Sequence, residues 1–165
     1  VEEAREVFNN LVEKTLEALM LLERITGMSI SREKLNRAIY SAVNVILHEL
    51  SHASIQTVYP ELDSIREIDE YLVLCIEEVG ARLLEVYVAA RIGLPAQSFE
   101  EHANELSWFP VFRGRINSRL LEKLYNEMTE AIRRNMFRDF VTGELRDTCR
   151  RITMSLGGPR IAGIR

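Results

Sequence analysis

Apolar residues recur at helical rather than alternating spacing along most of the chain. Val7, Leu11, Leu16, Leu19, Leu22 and Ile25 fall near a period of about 3.6, which predicts a helix over 2–26 that Gly27 stops. After a short link, Met28 to Ile30, Ser31 can cap a second helix reaching Val58, since Pro60 cannot continue it. Asp63 or Ser64 is expected to cap a third helix through Ile92, closed by Gly93 and Pro95. Its apolar positions, from Ile65, Ile68 and Leu72 to Leu83, Val86 and Ala90, are strongly periodic. Ser98 opens a short helix to about Leu106, and Trp108 to Phe112 reads as a loop or brief extended piece that anchors in the core. Residues 115–140 read as one further helix, separated at Thr142 or Gly143 from a last one near 144–155. The expected class is all-α, a compact multi-helix bundle.

Composition narrows this picture. A chain of 165 residues, 47% hydrophobic and 28% charged with 8 Gly and 4 Pro, suits one core-forming domain and excludes disordered or collagen-like designs. One helical domain is expected over 1–154, followed by a flexible tail over 155–165, where Gly157, Gly158, Pro159 and Gly163 cluster. Two cysteines, Cys75 and Cys149, are too few for a secreted disulfide scaffold and form no CxxC, so a reducing, cytoplasmic setting is expected. No secretory signal pattern stands at residues 1–8, which hold Glu2, Glu3, Arg5 and Glu6. The nearly uncharged stretch from Ala38 to Pro60 contains Glu49, His48, His52 and several amide and hydroxyl residues, so a buried helix is expected rather than a membrane span.

Charge is unevenly spread. Residues 1–110 carry 9 Lys/Arg against 19 Asp/Glu, and residues 111–165 carry 12 against 6. The basic part lacks aromatic interleaving, so a solvated or packed face is expected there rather than a nucleic-acid surface. Arginine outnumbers lysine 18 to 3 and glutamine appears twice, a composition that leans towards a thermophile.

Chemistry concentrates in the second helix, where His48-Glu49-Leu50-Ser51-His52 spells HExxH. Four helical residues rotate by about 400°, which stacks the two imidazoles one turn apart on one face where they can share a metal ion. Glu49 lies about 100° round from His48, placed to address an attacking water. Uncharged neighbours, Val45, Ile46, Leu47, Leu50 and Ala53, predict a motif buried on a central helix. A catalytic zinc takes three protein ligands and leaves one position open. A third histidine six residues after His52 is ruled out by Val58, and His102 is the one other histidine. Glu77 or Glu78, on the next helix, can supply a carboxylate instead. Helical geometry alone leaves both open, because each shares its face with apolar residues.

An HExxH helix followed at this distance by a helical Glu resembles the gluzincins, zinc metallopeptidases with a His, His, Glu ligand set. Glu77-Glu78-Val79-Gly80-Ala81 with Glu85 is similar to their Asn-Glu-Gly-x-Ala segment, which has a further Glu seven residues on. Glu78-x-x-x-Arg82-Leu83-x-Glu85 is also similar to the corresponding helix of the mostly helical carboxypeptidase Taq family. The likeness covers residues 45–56 and 77–89. It implies His48, His52 and Glu78 as zinc ligands, with Glu77 as rival third ligand, and Glu49 as general base. It further implies peptide hydrolysis by a zinc-activated water, with the metal between two antiparallel helices and a peptide or unfolded segment as substrate. Many gluzincins have an acidic residue four after the Glu ligand to orient a histidine. Arg82 stands there instead, so Glu85 or a backbone carbonyl is expected in that role. Arg82, Tyr125, Tyr87, Arg113 and His102 are candidates to stabilise an oxyanion.

Two rival readings come from other classes. Glu49-x-x-His52 also fits a di-iron bundle, but that site needs a second Glu-x-x-His, and Phe99 stands three before His102. A non-catalytic, metal-binding interaction module is the other. Neither a nucleic-acid nor a membrane partner is expected.

Overall fold

The computed structural model describes residues 2–154, which are mostly helical and hold no strand. The proposed tail beyond Met154 lies outside the described residues. The elements are α1 (Glu2–Thr26), α2 (Arg32–Val58), α3 (Leu62–Arg66), α4 (Glu70–Ile92), α5 (Phe99–Leu106), α6 (Ser118–Arg133), α7 (Phe137–Phe140), a π-helical turn (Val141–Leu145) and α8 (Arg146–Met154). The chain falls into two compact units, Val1–Ser41 and Ala42–Arg165, with the division inside α2.

In the first unit, Gly27 turns left-handed with φ 65° and its N–H donates to Glu23 O, which ends α1. Glu23 Oε1 then accepts the N–H of Ile30 at 2.8 Å, tying the link back to the helix it leaves. Ser31 Oγ accepts the N–H of Lys34 and so caps α2. Leu16, Met20, Leu22 and Ile25 of α1 are exposed.

The second unit is built round α4, which is buried on nearly all sides by Leu72, Val73, Cys75, Ile76, Val79, Leu83, Leu84 and Ala89. Helices α3, α5, α6 and α8 and the π-helical turn pack against it. The interior is filled by Ile55, Leu62, Ile76, Leu83, Leu106, Phe112, Leu121, Leu124, Met128 and Leu145. Cys75 on α4 and Cys149 on α8 form a disulfide across a Cα separation of 5.6 Å, within the range such bonds span. Both cysteines are thus paired.

Three boundaries differ from expectation, each for a local reason. The third helix does not run from Asp63 to Ile92. Ile65 O takes the N–H of both Ile68 and Asp69, and the Asp69 carboxylate then accepts Leu72 N–H at 3.0 Å to start α4 afresh. Nor is 115–140 continuous. Asn117 caps α6 through Leu120 N–H at 2.9 Å, and Asn135 at φ 60° ends it while Met136 N–H reaches back to Ala131 O. Thr142 and Gly143 do not separate two helices, because the chain passes through the π-helical turn directly into α8. A lone glycine costs a helix about 1 kcal/mol and need not stop it. Between α5 and α6, Trp108 to Phe112 is a run of turns with no extended piece. Phe112 is buried there while Trp108 is 78% exposed.

Candidate metal centre

The centre is built from α2, α4 and α5 of the second unit. Only Ser51 and Ile55 of α2 are fully buried, and Ile55 meets α4 at Gly80, where the absent side chain lets the two helices approach. A Cβ on Gly80 would stand 2.8 Å from Ile55 Cδ1 and 3.2 Å from Leu145 Cδ2. His48 and His52 are among the half-buried residues of α2, and much of the rest of the helix is exposed. Val45 and Leu50 are each 59% exposed and Glu49 is exposed, so the motif lies at an edge rather than inside a central helix as its uncharged frame predicts.

His48 and His52, one turn apart, bring their Nε2 atoms to 3.1 Å. Glu78 of α4 faces both, with Oε1 3.6 Å from His52 Nε2 and Oε2 3.9 Å from His48 Nε2. Bonds of about 2.0–2.1 Å to a tetrahedral zinc place neighbouring ligand atoms roughly 3.3 Å apart. The separation of the two imidazole nitrogens is close to that value, and the Glu78 oxygens stand a few tenths of an ångström beyond it. This His48, His52 and Glu78 group could hold a metal ion, and it is the one such group among the described residues.

Glu85, a further two turns along α4, places Oε2 3.3 Å from His48 Nδ1. Both atoms are buried and neither makes a hydrogen bond, so the two are close without being aligned as donor and acceptor. A carboxylate only accepts, so a neutral His48 that donated to Glu85 would carry its proton on Nδ1 and keep its lone pair at Nε2, facing His52. Glu77 points away from the group. Its Oε1 accepts from Arg66 Nη2 at 2.6 Å and from Gln56 Nε2 at 3.1 Å.

Arg82 is largely buried between α4 and α5. Its Nη1 lies 2.6 Å from Glu105 Oε2 and 3.4 Å from His102 Nδ1, and its Nη2 lies 3.9 Å from Glu78 Oε2. His102 is almost fully enclosed, and burial pushes its pKa below the ordinary 6.5. The charges of Glu85 and Glu105 oppose that shift, while Arg82 and His48 add to it. Around the histidines, Glu78 and Glu105 approach the Arg82 guanidinium and Glu85 faces His48, so three carboxylates stand with one guanidinium, a deficit of two positive charges that a divalent cation would supply.

Of the remaining candidates, Tyr125 packs its ring against Phe99 at 5.3 Å, Tyr87 lies under the Arg91 guanidinium at 5.1 Å, and Arg113 is exposed. Sequence reasoning singled out neither Glu105 nor Arg66. Glu105 sits three residues after His102 on the same helix face, a spacing that signals shared contacts. The partnership of Arg66 with Glu77 crosses the α3–α4 break and carries no such signal. No helix among the described residues is long and apolar enough to cross a membrane. No family model matches the chain, and no curated protein or solved structure matches it either.

Proposed function

We propose that the chain is a zinc-dependent metallopeptidase. The observation that carries this reading is the convergence of His48 Nε2, His52 Nε2 and the Glu78 carboxylate within 3.1–3.9 Å of one another. Two further features support it: the buried Glu85 carboxylate behind His48, and the two-charge deficit of the surrounding groups. His48, His52 and Glu78 would hold the ion. Zinc in such a setting supplies Lewis acidity and lowers the pKa of water to about 7.

The chain's own residues do the rest. Glu49, exposed beside His48, takes a proton from the attacking water at a carboxylate oxygen and passes it to the amine nitrogen of the departing fragment. Peptide reaches it from the open side of α2, where exposed Val45 and Leu50 offer apolar contact. Glu85 holds the His48 proton on Nδ1. We place the activity in the cytoplasm of a thermophile, a setting in which the Cys75–Cys149 disulfide can persist.

The competing reading is a metal-binding interaction module without turnover, favoured by the apolar surface that α1 and α2 leave exposed. Peptide-library hydrolysis by the zinc-loaded protein, compared with Glu49→Gln at equal zinc content, separates the two. The peptidase reading expects a fall of about 10²–10⁴ in rate with zinc retained. Equal rates, or no hydrolysis by the unsubstituted protein, would reject it.

A further inference from the structure

The geometry points to Arg82 as the positioning residue of this centre: clamped by Glu105, its guanidinium holds Glu78 in place for ligation and fixes His102 in one tautomer. The inference rests on the reading of His48, His52 and Glu78 as a metal site, and goes beyond it by assigning the support of the carboxylate ligand.

Arg82 lies one turn after Glu78 on α4, a spacing that brings the two side chains together. A flexible carboxylate at that place needs something to limit its rotamers, since an ion alone has to offset the lost freedom at each binding event. The guanidinium is suited to the task because it is planar, permanently charged and offers donors in two directions. One direction is taken by Glu105 Oε2 at 2.6 Å, which anchors the group to α5. The other end, Nη2, is left 3.9 Å from Glu78 Oε2, while Glu78 Oε1 faces His52. Arg82 and His48 thus flank Oε2 at equal distance while Oε1 turns to His52. A lysine could match the charge but not both directions.

His102 completes the arrangement. Arg82 has only donors, so its Nη1, 3.4 Å from His102 Nδ1, makes that nitrogen an acceptor and puts the ring proton on Nε2. That atom is buried without a hydrogen-bond partner in the protein. Enclosure of His102 against Arg82 limits sideways movement of the guanidinium. A salt bridge that only joined α4 to α5 would need neither the approach to Glu78 nor the contact with His102.

The test uses the full chain and three readouts: zinc affinity by chelator competition, the visible spectrum of the cobalt(II)-substituted protein, and ring nitrogen shifts of the histidines. With 3 histidines in the chain the last is readily assigned. Arg82→Gln and Glu105→Gln are each expected to weaken zinc binding about 10–100-fold and to alter the cobalt spectrum. Arg82→Lys is expected to recover only part of the affinity. Arg82→Gln is also expected to release His102 into a mixture of tautomers. Should Arg82→Gln not fold, Glu105→Gln carries the test, because it frees the guanidinium without removing it. Folded variants with unchanged zinc affinity and cobalt spectrum would overturn the role of Arg82. Absence of metal binding by the unsubstituted chain would instead overturn the underlying reading of the site.

Discussion

His48 Nδ1 and Glu85 Oε2 face each other at 3.3 Å in a buried setting, which puts a carboxylate beside this imidazole nitrogen from two turns past Glu78 rather than one. In the proposed metal site, a proton shared with Glu85 at Nδ1 would leave Nε2 free to ligate. Glu85→Gln keeps the shape but can present an amide N–H to Nδ1 and favour the wrong tautomer. Zinc affinity is expected to fall about 10–100-fold, read by competition with a chromophoric chelator.

Gly80 sets the approach of α2 to α4. A methyl group there would meet Ile55 and Leu145, both fully enclosed, so the side chains have little room to give. Overpacking of this kind costs about 1–3 kcal/mol, against a gain of up to about 1 kcal/mol from helix propensity. Gly80→Ala is therefore expected to lower stability in urea and to weaken zinc binding, because Ile55 sits three residues from His52. Gly143, whose added Cβ meets nothing within 4 Å, is the control, and Gly143→Ala is expected to be neutral or stabilising.

The disulfide between Cys75 and Cys149 closes a long loop, with 74 residues of sequence separation. In the chain-entropy description such a loop contributes about 4 kcal/mol by restricting the unfolded state. The Cys75→Ala, Cys149→Ala double variant is expected to unfold at markedly lower urea with helix content retained, as read by circular dichroism.

Acid should destabilise the metal-free protein earlier than carboxylate titration alone would. The folded pKa of His102 lies below 6.5 because burial disfavours its charged form. Between the unfolded and folded values the unfolded chain binds a proton that the folded one does not, so stability is full above about 6.5 and declines as pH falls below it. The groups acting on the ring are Glu85, Arg82, Glu105 and His48. In urea titrations across this range, His102→Gln is expected to flatten the decline, and an unchanged slope would contradict the assignment.

Local signals were legible in the chain and tertiary ones were not. The His48/His52 spacing, the Ser31 and Ser98 caps and the Gly93 stop are decided within a few residues, and each stands where the pattern puts it. Asp69 and Asn135 break helices that periodicity joins, because one side-chain cap or one left-handed residue outweighs a continuous apolar stripe. Gly143 shows the converse, a residue that favours a stop yet lies within continuous helix. The exposure of Val45 and Leu50 depends on which faces of α2 find partners, and the Arg82–Glu105 contact depends on how α5 lies against α4. Neither is written in spacing. Glu77 and Glu78 were equivalent on the helix, and what parts them is Arg66, which reaches Glu77 from the other side of a break.

That distinction supplies the most direct measurement. Zinc bound per chain, determined by elemental analysis after metal exchange, is expected to be one for the unsubstituted protein and for Glu77→Gln, and to be lost in Glu78→Gln. No stoichiometric zinc in the unsubstituted chain, or loss of zinc on changing Glu77 with retention on changing Glu78, would contradict the account.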